Sequence, residues 1–110
     1  MAPIGAGTWH LVGDGEDITK AVDVRFDIVW RATRGSDTVL ATASHHFDPP
    51  AAGPGQFDAV EYETDVAGIA APAVPGDQLV LRFTVTAGSG YIPNGDGALV
   101  NGRIPNLTLP

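Results

Sequence analysis

Two acidic, glycine-rich stretches carry the side chains best suited to holding a ligand. Gly13-Asp14-Gly15-Glu16-Asp17 and Asn94-Gly95-Asp96-Gly97 each place oxygen donors on permissive backbone. Calcium takes roughly six to eight oxygen ligands, backbone carbonyls among them. Asp14, Glu16, Asp17 and Asp96 are therefore the candidate ligands of a calcium ion. Neither stretch has the ligand spacing and terminal Glu of an EF-hand loop. The plainer alternative is that Gly, Asp and Asn stand there as turn formers. Tyr91 follows Gly88-Ser89-Gly90 and precedes Pro93. It is either a stacking face for a sugar ring or an amphipathic lid over the core with its hydroxyl in water. Asn94, Asp48 and His46 complete the set expected to contact a polar ligand.

Other chemistry finds less footing. Without a single Cys there is no thiol nucleophile, disulfide or Cys-zinc site. His45 and His46 are adjacent, and strand neighbours point to opposite faces, so the pair cannot chelate one ion together. One of them, or His10, could still join Asp48 in a transition-metal site, and either can respond to pH. Glu61 and Glu63 share a strand face, roughly 7 Å apart, within the range of glycosidase carboxylate pairs. That makes a small hydrolase a third reading, against which stands the open outer face they should occupy. Pairing with Arg82 or Arg25 would explain the two glutamates without catalysis. Asn106-Leu107-Thr108 fits the glycosylation acceptor pattern, which is short enough to arise by chance.

The elements that must position these residues are strands. The chain has 110 residues, 44% of them hydrophobic, with fourteen Gly and nine Pro. Its length fits one domain over 1–110, and its apolar fraction suits a folded core. Runs rich in Val, Thr, Phe and Tyr alternate apolar with polar between Gly/Pro marks. That pattern predicts short antiparallel strands near 8–12, 21–33, 38–47, 57–66, 78–87 and 98–108. Gly35-Ser36 reads as a two-residue hairpin loop. It would place Ala32 opposite Val39, Trp30 opposite Ala41, Ile28 opposite Ala43, Phe26 opposite His45 and Val24 opposite Phe47. Val29, Leu40 and Val80 then fall on outer faces, while Trp9 and Trp30 fall in the core.

One-faced strands need a second apolar layer, so the expected fold is an antiparallel β-sandwich of about six to eight strands, jelly-roll-like. A small closed β-barrel is the alternative. Alternating strand direction puts loops 13–20, 48–56 and 88–97 at one end and loops 34–37 and 67–77 at the other. The first end collects the acidic and polar residues, so the site is expected there.

The net charge of −7 argues against nucleic acid or an anionic membrane surface as a partner. No apolar stretch approaches a membrane span, and Met1-Ala2-Pro3-Ile4-Gly5 lacks the basic and apolar regions of a signal peptide. The expected function is a non-catalytic module binding a polar small molecule or glycan, organised by calcium where the acidic loops meet. The alternative is a self-associating structural protomer of an oligomer, coat or filament, joined through outer apolar residues or the free edge of the last strand.

Overall fold

The computed structural model describes residues 1–49, 59–99 and 102–110. All regular structure in them is β: β1 (Gly7–Val12), β2 (Gly15–Glu16), β3 (Val22–Arg31), β4 (Asp37–Phe47), β5 (Ala59–Val60), β6 (Glu63–Gly68), β7 (Gln78–Gly88), β8 (Ile92–Pro93) and β9 (Asn106–Thr108). They form three antiparallel three-stranded sheets, ordered β6-β1-β9, β5-β2-β8 and β4-β3-β7. Among the described residues none of these sheets closes into a barrel, which removes the barrel alternative there. Among the described residues no helix is long and apolar enough to cross a membrane.

The predicted alternation survives in the burial. Along β3, Val24, Phe26 and Ile28 are almost wholly shielded. Trp9 and Leu11 of β1 point at them from the other large sheet. Trp9, Ile28 and Leu40 belong to one apolar cluster with Ile4, Ala41 and Ala71. Leu11, Val22, Val24, Phe26 and Phe47 form a second with Ile18. Partly buried Leu81 and Leu107 pack against both. The Trp9 indole is fully enclosed and its Nε1–H has no acceptor. It is packed so closely that a Cβ added at Gly68 would lie 2.5 Å from that nitrogen.

The β3–β4 register departs from the expected one. The loop closes one turn earlier: the Gly35 N–H donates to the Ala32 carbonyl and the Ala32 N–H to the Ser36 carbonyl. Gly35 adopts φ +93°, the left-handed position after a tight turn in longer hairpin loops. Arg31 therefore pairs with Asp37 and Trp30 with Thr38, not Ala41. A bulge at Leu40 then adds a residue, so that Ile28 pairs with Ala41, Phe26 with Ala43, Val24 with His45 and Val22 with Phe47. The slip relative to expectation is two residues beyond the bulge, an even number, so each side chain keeps its face. The bulge also turns Leu40 inward, where it is 3% exposed beside Ala41. Val29 is likewise buried, so the apolar outer patch expected of Val29 and Leu40 does not form.

The last predicted strand is shorter than expected: only Asn106–Thr108 pairs, with Val12, Leu11 and His10 of β1. Ala98 and Leu99 lie in a turn, and positions 100–101 fall outside the described residues.

Candidate functional site

Of the expected site residues Asp14, Tyr91, Asn94 and Asp96 are linked, largely as structure, whereas His46 and Asp48 pair elsewhere, with Asp23. Small strand β2 pairs with β5 on one side and β8 on the other, Gly15 facing both Val60 and Pro93. This draws the loops after β1, before β6 and after β7 to one end. Of loop 48–56, positions 50–56 lie outside the described residues.

Asp14 is the hub of that end and has no exposed surface. Its Oδ1 accepts the Tyr62 N–H at 2.8 Å and its Oδ2 the Arg103 N–H at 3.0 Å. The Arg103 guanidinium stands 3.5 Å from Oδ1. The Asp14 carbonyl accepts the Asn94 N–H. Tyr91 covers the core as a lid would, but its hydroxyl is not left to water: it donates to the Gly13 carbonyl at 3.0 Å and lies 3.2 Å from that of Asp14. Its ring packs against Phe26, Phe47 and Phe83. Burial, then the Asp14 charge, pushes its phenol pKa up. Asn94 is buried, its amide donating to the Arg103 carbonyl while its oxygen accepts the Asp96 N–H. Asp96 caps its own turn by accepting the Ala98 N–H. Glu16 lies in β2, and Asp17 takes a left-handed φ of 54°. Among the described residues no three His, Asp or Glu side chains are grouped to hold a metal ion.

The imidazoles sit on three different surfaces. His46 places its ring nitrogens against Asp23 and, at 3.0 Å, Asp48. His10 does the same with Asp65 at 2.7 Å and Glu63 at 2.9 Å. Only an imidazolium has two N–H donors, and these carboxylates hold both pKa values above the usual one, Asp23 and Asp65 contributing most. His45 stacks on Tyr62, centroids 4.0 Å apart, and burial lowers its pKa. Glu63 is engaged by His10 and by Arg103 at 3.0 Å. Arg25 and Arg82 instead converge on Asp27, at 3.3 and 3.0 Å, with the Thr42 hydroxyl at 2.8 Å. That replaces the expected pairing of these arginines with the two glutamates.

A cavity of about 180 Å³ lies at the opposite end, which the sequence marks as featureless. Its lining is Trp30, Ala32, Thr33, Arg34, Pro72, Val74 and Asp77. Asp77 builds it. Its Oδ2 accepts the Trp30 indole N–H at 2.9 Å and the Val74 N–H at 3.0 Å, and its Oδ1 accepts the Thr33 N–H at 2.9 Å. These bonds tie the β3–β4 loop to the β6–β7 loop and lower the carboxyl pKa to about 2, those from Val74 and Thr33 counting most. Trp30 is thus half-buried and fixed at a cavity wall. The shifted register releases it from the expected place opposite Ala41. Val74 is 53% exposed at the rim. The sequence signal for this site was faint: Pro75-Gly76-Asp77 announces a turn, but nothing links Asp77 to Trp30, 47 residues away.

Comparison with protein-family models, with curated proteins and with solved structures returns no match for the chain.

Proposed function

We propose that the chain is a non-catalytic binding module for an acidic sugar residue, held at the β3–β4 loop end between Trp30 and Arg34. The observation that carries this is the anchored indole. Its N–H is spent on Asp77, so the ring is pre-set as a wall and loses little freedom on binding. The cavity is smaller than the roughly 300–1,000 Å³ of pockets for drug-sized ligands, and suits a single ring. Trp30, Pro72 and Val74 offer apolar contact to one sugar face. Arg34 offers a guanidinium to a carboxylate. Asp77 accepts three N–H bonds out of about four acceptor positions, which leaves one on Oδ1 for a sugar hydroxyl. This moves the glycan site from the acidic loops, whose Asp14, Asn94 and Tyr91 are committed internally, to the other end. Calcium has no part in this reading.

The two larger sheets read as the layers of a sandwich, and a jelly-roll-like path is supported by their nested contacts. β1 pairs with β9 and β3 with β7, while the Ile69 N–H just after β6 reaches the Leu40 carbonyl of β4. That is the order of one long hairpin folded over itself.

Tryptophan emission tests the site, because Trp9 is sealed and serves as a constant background. Glucuronic, galacturonic and N-acetylneuraminic acids are titrated beside their neutral counterparts. At least one acid should change the emission saturably, with loss of the response in Trp30→Phe and weakening in Arg34→Gln. No response to any acid at tens of millimolar (about 1.5–2.5 kcal/mol of affinity at most) overturns the reading.

A further inference from the structure

We propose that β7 is an interaction edge through which a second copy of this chain pairs, antiparallel, to make one continuous six-stranded sheet. β7 is eleven residues long and, among the described residues, pairs only with β3. Its other edge presents backbone N–H and C=O groups of the kind that template strand addition. The side chains above that edge are left half-covered. Leu79, Leu81, Phe83 and Val85 stand beside Trp30, Ile28, Phe26 and Val24 on the core face. Val24, Phe26 and Ile28 are at most 1% exposed, yet Val85 is 42% exposed, and Leu79, Leu81 and Phe83 are only partly buried. Among the described residues the shielding that neighbours give β3 from both sides is missing on the outer side of β7.

Charge selects the occupant. A chain of net charge −7 repels its own copies wherever carboxylates face each other. Of the long edge strands, β4 carries Asp37 and meets Ile69 at Leu40, and β6 carries Glu63 and Asp65. β7 has no carboxylate. Its one charge, Arg82, is held 3.0 Å from Asp27. The strand is also self-complementary. A twofold axis through Phe83 sets Phe83 against Phe83 of the other copy, Leu81 against Val85, and Arg82 against Thr84. Every core-face pair is then apolar, and exposed Val85 gains a Leu partner. A twofold through Arg82 would oppose like charges, which is unfavourable in a sheet. The bulge at Thr86 ends the regular stretch just beyond Val85.

The test uses Thr84, which should face Arg82 of the other copy. Dissociation constants are measured by sedimentation equilibrium for the whole protein, with circular dichroism checking the fold of each variant. Wild type should dimerise with rising concentration. Thr84→Glu should tighten the dimer and Thr84→Lys loosen it, each by about tenfold for two symmetric contacts. Net charge alone demands the reverse, since Glu deepens the negative charge and Lys reduces it. A monomer at millimolar concentration, the reverse ordering, or loosening by both substitutions overturns the proposal.

Discussion

Replacing Asp14 by Asn tests whether the acidic loop end is a structural clamp. The carboxylate accepts two backbone N–H groups through different oxygens, Tyr62 on Oδ1 and Arg103 on Oδ2. An amide has one acceptor oxygen and one NH₂ donor. Whichever way it is turned, one backbone N–H then faces a donor. A buried donor left without a partner costs about 1–3 kcal/mol, and losing the charge weakens the surviving bond. The sum is about 2–4 kcal/mol. For a domain of this size each kcal/mol moves the melting temperature by roughly 4–8 °C, so Asp14→Asn should melt roughly 8–30 °C below wild type. Asp96→Asn is the control. That side chain is exposed and its one bond, to the Ala98 N–H, is available to an amide oxygen, so a shift under about 3 °C is expected. Both variants and wild type are melted by circular dichroism with millimolar calcium and with chelator. An Asp14→Asn melt within about 3 °C of wild type refutes the clamp. Calcium raising the wild-type melt, with the rise lost in both variants, would return these carboxylates to metal binding.

Two further outcomes follow from the packing and the imidazoles. Raised pKa values at His10 and His46 mean their contribution is full below the ordinary imidazole value, about 6.5, and fades as pH climbs through the raised ones. His45 runs the other way: its lowered pKa favours the fold above that value and costs stability as pH falls through the depressed one. Ring-proton NMR should therefore show His45 titrating at the lowest pH of the three, and any other ordering contradicts the assigned contacts. Gly68→Ala would drive a methyl to 2.5 Å from Trp9 Nε1 and 3.2 Å from the Leu40 carbonyl. Overpacking of this kind costs about 1–3 kcal/mol, read as a lower urea midpoint, and an unchanged midpoint would mean the Trp9 pocket yields freely.

Periodicity made the strands legible because it depends only on which side chains leave water. It put Trp9 in the core and Phe26 and Ile28 on one face of their strand, and all three are buried. It also brought Gly13–Asp17 and Asn94–Asp96 to one end, since antiparallel strands alternate direction. It failed where one backbone torsion decides. Placing Gly35 after the turn instead of at its first central position moved the pairing, came with the bulge at Leu40, and left Trp30, still packed against the core cluster, lining a cavity. Roles of the acidic residues were hidden for a different reason. Whether a carboxylate faces water or two backbone donors depends on loops far apart in the chain, and local composition holds no trace of that.

The net charge of −7 therefore mixes two populations of carboxylate. Asp14, Asp27 and Asp77 are 0%, 3% and 7% exposed. Each holds together segments distant in sequence: Asp14 joins Tyr62 to Arg103, Asp27 joins Thr42 to Arg82, and Asp77 joins Thr33 to Val74. They stand at one end of the molecule, on an outer sheet face, and at the other end. A chain without disulfides has no covalent staple for its loops, and buried carboxylates accepting several N–H bonds serve that purpose. Two of these clamps, Asp27 and Asp77, have a definite pH signature. Burial pushes the Asp27 carboxyl up, but Thr42, Arg82 and Arg25 together bring it below the usual value, and Asp77 lies at about 2. Both carboxyls have a lowered folded-state pKa, so their contribution is complete above the unfolded carboxylate range and is lost as pH falls through the lowered values. The fold should accordingly persist to mildly acidic pH, where the imidazolium pairs of His10 and His46 are also formed, and fail as Asp27 and Asp77 take up protons.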